Sequence, residues 1–343
     1  MKLVKLEDVC YNGSSSLSQK DIIMLDGKYP VYGASGLIKY INFYKYDKEY
    51  IAIVKDGAGI GRTMILPANS SVISTLQYIF PKENINIRYL YYALNAMDLS
   101  KYYSGVTIPH IYFKDYKKEE LYLPIIDEQI NIVNKLDKIR EIIDIRKKQI
   151  EELDEIIKSQ FVEMFGDIKS NDKNWKTKNG SELFIFSSGK SNKTSNLSSN
   201  FEYKCYGGNG ITGLSKDYLI DYDTIVIGRV GAYCGSVHTT EGKVWITDNA
   251  IYIKEFKEDY NIKFLKELFE VIDFHRFANF SGQPKITQQP LQNYSYILPP
   301  IELQNQFADI VKQIDKQKFE IQKSLEEMQK LQESLMNKYF GEY

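Results

Sequence analysis

The sequence has little of several features that would point to a particular class of protein. It contains three cysteines, which are far apart and odd in number: Cys10, Cys205 and Cys234. This pattern argues against a framework of disulfide bonds and fits a reducing compartment, so we expect the cytoplasm. No apolar run is long enough to span a bilayer, and the first residues lack the apolar core of a signal peptide, so we expect no membrane association.

Recognisable catalytic and cofactor-binding motifs are missing as well. The three histidines are isolated and indicate neither a metal site nor a catalytic set: His110, His238 and His275. There is no Walker A motif, and Leu298–Ile301 departs at both ends from the motif of adenine methyltransferases. We therefore expect no catalytic residue, no metal and no cofactor. A self-contained nuclease with loosely spaced carboxylates stays an alternative.

A glycine-rich segment invites a nucleotide-binding interpretation. Residues Gly57–Gly61 follow a predicted strand, as the glycines of a dinucleotide-binding motif would. The next residues, Thr63–Leu66, are predicted to form a second strand, whereas a phosphate-binding loop needs the N-terminus of a helix at this point. The segment is therefore predicted to be a tight connection between two strands. A contact between phosphate and Arg62 or Arg229 stays open.

The sequence contains the same pattern twice. Five short matches occur in one order and at nearly one shift, between 174 and 177 residues. They pair Tyr32–Leu37 with Tyr206–Ile211, Lys55–Gly61 with Arg229–Gly235, Ser104-Gly105 with Ser281-Gly282, Leu123-Pro124 and Gln129 with Leu298-Pro299 and Gln304, and Phe165–Asp167 with Phe340–Glu342. Matches in one order at nearly one spacing predict an internal duplication.

Each copy ends in a stretch with a seven-residue apolar repeat. One series in the first copy is Leu136, Ile143, Ile150, Ile157 and Met164, and one in the second copy is Val311, Lys318, Leu325, Gln332 and Tyr339. Neither glycine nor proline interrupts the stretches until Gly166 and Gly341. Each stretch predicts a helix of roughly 36 residues, about 54 Å long. We expect the two helices to form one coiled coil, with dimerisation through another chain as the alternative.

The remaining segments are predicted to be mixed α/β domains. Buried strands are expected at Tyr50–Val54 and Asp223–Ile227, return strands at Thr63–Leu66 and Ser236–His238, and helices at Ile87–Met97 and Ile262–Phe274. We divide the chain into a domain at 1–125, a helix at 126–168, a domain at 169–300 and a helix at 301–343. The two domains carry a small excess of Lys and Arg and the two helices an excess of Asp and Glu, within a net charge of −1. This distribution permits DNA binding by the domains without demanding it.

Two segments have a composition suited to DNA contact. Residues 104–111 and 281–289 mix Gly and Pro with Thr, Gln, His and Lys. Gln can pair with adenine and Lys with guanine or phosphate, although segments rich in Gly and Pro are usually only turns. As DNA contacts we select polar residues in predicted loops or at strand ends: Lys55, Arg62, His110, Lys190, Lys193, Arg229, Gln283 and Lys285.

Together these segments resemble the specificity subunits of type I restriction–modification enzymes. The resemblance rests on Ser104–Pro109 and Leu121–Gln129 before the first long helix, and on Gly282–Gln288 and Leu298–Gln304 before the second. It covers nearly the whole chain and includes the two-copy layout. The chain is short for that family, which leaves the specificity subunit of a type IIB system as an alternative.

The resemblance implies both a fold and a function. The fold would be two tandem mixed α/β recognition domains, separated by two long antiparallel coiled-coil helices, with pseudo-twofold symmetry. Each domain would read one half of a bipartite motif in double-stranded DNA, and the helix pair would fix the unread gap. Methyltransferase subunits would be the partners, restriction subunits would join through them, and the chain itself would not be catalytic. A coiled-coil interaction protein without a nucleic-acid role is the remaining alternative.

Overall fold

The computed structural model describes residues 2–105, 109–192 and 196–341. These residues form two compact units. Unit 1 consists of Met1–Lys147 and Lys323–Tyr343, and unit 2 consists of Lys148–Gln322. Each unit therefore contains part of both long helices as well as its own sheets.

Unit 1 contains three small sheets and short helices. Its elements are β1 Lys2–Lys5, α1 Leu6–Val9, β2 Cys10–Ser14, β3 Tyr29–Gly33, β4 Gly36–Ile41, β5 Tyr50–Val54, β6 Thr63–Leu66, β7 Ser71–Val72, β8 Leu76–Pro81, α2 Ile87–Ala96, a 3-10 helix Leu99–Tyr102, α3 Phe113–Tyr116, β9 Glu120–Leu123 and the start of α4 Ile126–Phe165. The strand orders are β2-β8-β5-β6, β4-β3-β7 and β1-β9.

Unit 2 repeats this arrangement. Its elements are β10 Thr177–Asn179, α5 Gly180–Leu183, β11 Phe184–Ser188, β12 Tyr203–Gly207, β13 Gly210–Ser215, β14 Ile220–Asp221, β15 Ile225–Gly228, β16 Val237–Thr239, β17 Lys243–Ile246, β18 Ala250–Phe256, α6 Ile262–Ile272, a 3-10 helix Phe274–Phe277, α7 Gln288–Asn293, β19 Ser295–Ile297 and the start of α8 Ile301–Phe340. The strand orders are β11-β18-β15-β16, β13-β12-β17-β14 and β10-β19.

The central strand of unit 1 is buried on both faces, as its continuous apolar run predicts. All five residues of β5 are fully buried. Ile51 and Ile53 pack into one core with α2 and the start of α4, while Tyr50, Ala52 and Val54 pack into a second core against the hairpin β3–β4. The period of two along a strand separates the side chains between the two cores. In unit 2, β15 divides its residues between two cores in the same way.

The two long helices each contain 40 residues, which corresponds to about 60 Å. The positions of the predicted seven-residue repeats are buried or half-buried in both helices. Within unit 2 the helices are antiparallel, since Phe161 contacts Phe307 and Asp154 bonds to Lys318, with Oδ1 and Nζ 2.5 Å apart. The predicted antiparallel pairing is therefore confirmed there. Among the residues that the structure describes, no helix is long and apolar enough to cross a membrane.

The start of each long helix is joined to its unit by a buried glutamine. Gln129 and Gln304 are both fully buried. In unit 1, Gln129 Oε1 accepts the amide of Asn86 at 2.8 Å, and Gln129 Nε2 donates to the carbonyl of Pro124 at 2.9 Å. In unit 2, Gln304 makes the same two bonds, with the amide of Asn261 and the carbonyl of Pro299, both at 2.9 Å. The sequence match at these positions therefore reflects one repeated contact.

Replacing Gln304 by alanine tests the strength of this contact. Gln304→Ala leaves a backbone amide and a carbonyl without their partner in a buried place, and each unpaired group costs about 1–3 kcal/mol. We expect the free energy of unfolding of the full chain, measured by urea denaturation, to fall by about 2–4 kcal/mol.

The matched control is Gln306→Ala, because Gln306 is exposed on the same helix turn. Its effect should stay within about 0.5 kcal/mol. Equal losses of stability in the two variants would contradict the role assigned to the buried amide.

Candidate nucleic-acid interface

In unit 1 the glycine-rich turn after β5 is bonded to the loop that precedes α3. The amide of Gly57 donates to the carbonyl of Pro109 at 3.0 Å, and the amide of Ile111 donates to the carbonyl of Lys55 at 2.9 Å. We call this pair of backbone hydrogen bonds the loop clasp. Ser104 and His110 exchange two further backbone bonds of 2.8 Å that close the second loop on itself. Both loops therefore lie together where β5 ends and β6 begins.

Unit 2 contains the same loop clasp. The amide of Gly231 donates to the carbonyl of Pro284, and the amide of Ile286 donates to the carbonyl of Arg229, both at 2.9 Å. Asn279 and Lys285 exchange the bonds that close the loop, at 2.9 and 3.2 Å. The predicted connection between two strands is confirmed in both copies, since β6 and β16, not helices, follow the glycine-rich turns.

The structure corrects one of the five sequence matches. The sequence aligns Ser104-Gly105 with Ser281-Gly282, a shift of 177 residues. The hydrogen bonds instead make Ser104 the counterpart of Asn279 and His110 the counterpart of Lys285, a shift of 175 residues. The Ser-Gly pairs are therefore not equivalent, because the loop is defined by the backbone bonds at its two ends and not by its glycine.

Side chains at matched positions of the two loop clasps differ in chemistry. In unit 1, His110 Nδ1 lies 2.6 Å from Asp56 Oδ1, and Lys55 Nζ lies 4.0 Å from Asp56 Oδ2. In unit 2 the counterparts of Asp56 and His110 are Val230 and Lys285, which form an isolated backbone bridge. Unit 1 thus presents a histidine–carboxylate pair where unit 2 presents a lysine beside an apolar residue. One backbone frame can therefore offer different contacts to a ligand.

Arg62 contributes to the structure of unit 1. Its guanidinium Nη2 donates to the carbonyl of Ala34 at 3.0 Å, which connects the glycine-rich turn to the tip of the hairpin β3–β4. In unit 2, Ser236 Oγ donates to the carbonyl of Gly208 at 2.5 Å. A third segment is thereby held next to the loop clasp in each unit.

The other predicted contact residues lie mostly around the loop clasp of unit 2. Gln283 and Lys285 are exposed, and a Cβ atom at Gly231 would lie 3.5 Å from Gln283 Nε2. Arg229 Nη1 lies 3.4 Å from the carbonyl of Asp248. Lys190 is exposed, and its carbonyl accepts a bond from Trp245 Nε1 at 3.0 Å. Lys193 lies outside the described residues.

Sequence reasoning overlooked part of the polar surface of unit 1. Asp56 was not selected, although it lies between Lys55 and His110. A cleft of about 570 Å³ next to Lys55 is also lined by three lysines that were not selected: Lys82, Lys114 and Lys117. The three lysines within residues 114–118 are a sequence signal that could have indicated part of this cleft.

The side chains around the loop clasps can bind charged and polar groups of a ligand. In residues 2–105, 109–192 and 196–341, no group of three or more His, Cys, Asp or Glu side chains is placed to hold a metal ion. The side chains around the loop clasps include cations, amides, one imidazole and the carboxylate of Asp56. The cations, amides and imidazole suit phosphate oxygens and base edges.

Comparison with known proteins identifies relatives of the chain. A family model described as type I restriction modification DNA specificity domain matches residues 1–155 and 172–331. The specificity subunit of the type I restriction enzyme EcoprrI from Escherichia coli is 32% identical over 113 residues, which are 33% of this chain and 28% of the relative. The match therefore spans less than a third of that protein.

Two solved structures have a similar fold. The S subunit of a type I restriction–modification system from M. genitalium superimposes with a TM-score of 0.70 at 18% identity, over 100% of this chain and 96% of that one. A structure on the complex assembly and conformational transition of the type I R-M system gives a TM-score of 0.55 at 16% identity, over 99% of this chain and 97% of that one. At these identities the likeness concerns the fold.

Arg62→Ala tests the connection between the loop clasp and the hairpin tip. Loss of the bond to Ala34 removes about 1 kcal/mol from the local stability of the hairpin. We expect the amides of residues 32–37 to exchange with deuterium about fivefold faster. Hydrogen exchange with mass spectrometry on the full chain measures this.

The control is Arg88→Ala, which removes another arginine of unit 1, bonded to Asp137 at 2.6 Å. It should leave exchange at residues 32–37 unchanged. An unaltered hairpin in Arg62→Ala would show that the guanidinium does not hold the tip.

Proposed function

Because the chain belongs to the family of type I restriction modification DNA specificity domains, with two matching regions, we propose that it is the DNA-recognition subunit of a type I restriction–modification complex. It binds double-stranded DNA at a bipartite motif. Methyltransferase subunits are its partners, restriction subunits join through them, and the chain itself has no catalytic site. As a partner of enzymes that act on the chromosome, it resides in the cytoplasm.

One observation supports this function above the others. The loop clasp is built twice from the same backbone bonds, while its side chains differ between Asp56 with His110 and Val230 with Lys285. A scaffold protein has no need of two polar surfaces with one frame and diverged contacts. A reader of two different half-sites needs both, since base edges are distinguished by the donors and acceptors that face them.

The proposed contacts are divided between the two domains. In the domain at 1–125, Lys55, Arg62 and His110 contact one half-site, with Arg62 also holding the hairpin tip. In the domain at 169–300, Lys190, Lys193, Arg229, Gln283 and Lys285 contact the other half-site. Gln and Lys can form specific contacts with adenine and guanine, whereas a lysine on phosphate contributes affinity without sequence information. The segments 126–168 and 301–343 contain the long helices α4 and α8, on which methyltransferase subunits dock.

The proposal is tested by the adenine methylome of cells that express the chain with its neighbouring methyltransferase. Deleting the gene for the chain should abolish methylation of one split motif, two short specified halves around a fixed gap, and reintroducing the gene should restore it. Single-molecule sequencing of genomic DNA measures this. An unchanged methylome, with the methyltransferase expressed, would contradict the proposal.

Two double variants test which domain recognises which half of the motif. Gln283→Ala with Lys285→Ala should alter or relax only one half of the motif, because both residues belong to unit 2. Asp56→Ala with His110→Ala should affect only the other half. Loss of the same half in both variants would contradict the assignment of one domain to each half-site.

We also propose that the two helices of 40 residues set the length of the unread gap. Inserting seven residues into the middle of both helices preserves the seven-residue repeat and lengthens each by about 10 Å. At 3.4 Å per base pair the gap in the methylated motif should grow by about three base pairs.

The control inserts seven residues into the non-helical segment 169–176, which leaves both helix lengths unchanged. Methylome sequencing should then return the original gap. Persistent methylation at the original gap with both helices lengthened would refute the role assigned to the helices.

A further inference from the structure

A basic cleft lies beside the loop clasp of unit 1. Its volume is about 570 Å³, and its lining includes Lys55, Lys82, Lys114 and Lys117. The four lysines come from different places in the sequence: the residue after β5, the residue after β8, α3, and the residue that ends α3. Glu7 is the acidic residue among the residues that line the cleft. The cleft is therefore positively charged at neutral pH.

Two of the lysines are held in place by residue 7. Lys82 Nζ donates to the carbonyl of Glu7 at 2.7 Å, and Lys117 Nζ lies 2.6 Å from Glu7 Oε2. The hydrogen bond from Lys117 lowers the pKa of the Glu7 carboxyl below its usual range. Glu7 is therefore ionised near pH 7 and offsets one of the four positive charges, and Asp56 Oδ2 lies 4.0 Å from the Nζ of a second, Lys55. The lining keeps an excess of positive charge.

The cleft continues directly from the loop clasp. Lys55 belongs to both, because its carbonyl accepts the amide of Ile111 while its side chain lines the cleft. The ring of Tyr112 is stacked along the ring of His110. Their centroids are 6.5 Å apart, and the angle between the ring planes is 22°. Lys114 Nζ lies 5.3 Å from the centre of the Tyr112 ring. A DNA strand that contacts His110 would thus bring its backbone to these cations.

Unit 2 has basic counterparts for two of the four cleft lysines, Lys55 and Lys82. Arg229 is the counterpart of Lys55, as the loop clasp shows, and Lys257 Nζ donates to the carbonyl of Ser181 at 2.8 Å as Lys82 does to that of Glu7. At the shift of 175 residues, the positions of Lys114 and Lys117 are occupied by Gln289 and Gln292. The alignment is supported by the buried pair Tyr116 and Leu291, each on the short helix of its unit. Unit 2 thus has amides where unit 1 has two ammonium groups.

We propose that the cleft of unit 1 binds phosphates of the DNA backbone through Lys55, Lys82, Lys114 and Lys117, and that unit 1 therefore contributes more of the salt-dependent affinity than unit 2. This inference rests on the proposed function. Lysine is a point charge that suits phosphate without reading sequence, so the cleft holds the duplex in place while the loop clasp selects its bases. The glutamines of unit 2 provide hydrogen bonds and no release of counterions.

The test replaces the two lysines by the residues that unit 2 carries. The variant is Lys114→Gln with Lys117→Gln in the full chain, and the probe is a fluorescent 40-base-pair duplex without a chosen motif, titrated by anisotropy at several salt concentrations. We expect the slope of log K against log salt to become shallower by about one to two. Affinity should fall for every duplex sequence.

Matched variants distinguish the effect of the cleft lysines from the effect of losing positive charge anywhere on the surface. Lys118→Gln with Lys138→Gln removes the same charge from exposed positions outside the cleft, and the slope should change by less than about half as much. Gln289→Lys with Gln292→Lys should steepen the slope. Lys114→Gln alone leaves the Glu7 ion pair intact and should give about half of the double variant's change, which controls for altered folding around Glu7.

Several outcomes would overturn the inference. One is an unchanged slope in the double lysine variant, and another is an equal change in Lys118→Gln with Lys138→Gln. In a third outcome, the original chain binds ATP and the double variant does not, while the slope of log K for DNA against log salt is the same in both. The cleft would then be a site for a small phosphate ligand. If the double variant still methylates the split motif in cells but shows no change in slope, the cleft inference fails and the proposed function stands. If the full chain binds no duplex, with or without its methyltransferase, both fail.

Discussion

In each unit, one backbone hydrogen bond of the loop clasp holds the candidate surface together. Gly57 donates it to Pro109 in unit 1, and Gly231 donates it to Pro284 in unit 2. Both glycines have a positive φ, 94° and 82°, a conformation in which a side chain is strained. The turn can therefore present its amide to the proline carbonyl only where a glycine is available. Because these bonds use main-chain atoms alone, the neighbouring side chains are free to change without moving the loops. Every candidate contact around the loop clasp depends on this constraint.

The buried glutamines extend the same principle to the long helices. Gln129 and Gln304 each connect the first turn of a long helix to the backbone at the start of a second helix, α2 or α6. The asparagines whose amides they bind, Asn86 and Asn261, also cap those helices with their own side chains. A buried amide with all its partners satisfied is costly to replace, so the beginning of each long helix is fixed relative to the sheets of its own unit.

The two units thus share a frame and differ in the groups that the frame presents. Unit 1 offers a histidine–carboxylate pair and a cleft with four lysines, whereas unit 2 offers an arginine, a lysine and several amides. In the proposed function this difference has two consequences. Different base edges are selected by different donors and acceptors. The electrostatic attraction to the DNA phosphates is stronger at the half-site that unit 1 contacts than at the other.

The amino-acid sequence alone determined the features that depend on local order along the chain. The continuous apolar run at Tyr50–Val54 specifies a strand buried on both faces, the seven-residue repeats specify the long helices, and the nearly constant shift between matches specifies the duplication. Only the tertiary structure decided which residues meet. It bonded Ser104 to His110 and Asn279 to Lys285, placed Asp56 against His110, and gathered Lys55, Lys82, Lys114 and Lys117 around one cleft. Periodicity is set by neighbours in sequence, whereas these contacts join positions far apart along the chain and exist only after the sheets and loops have packed.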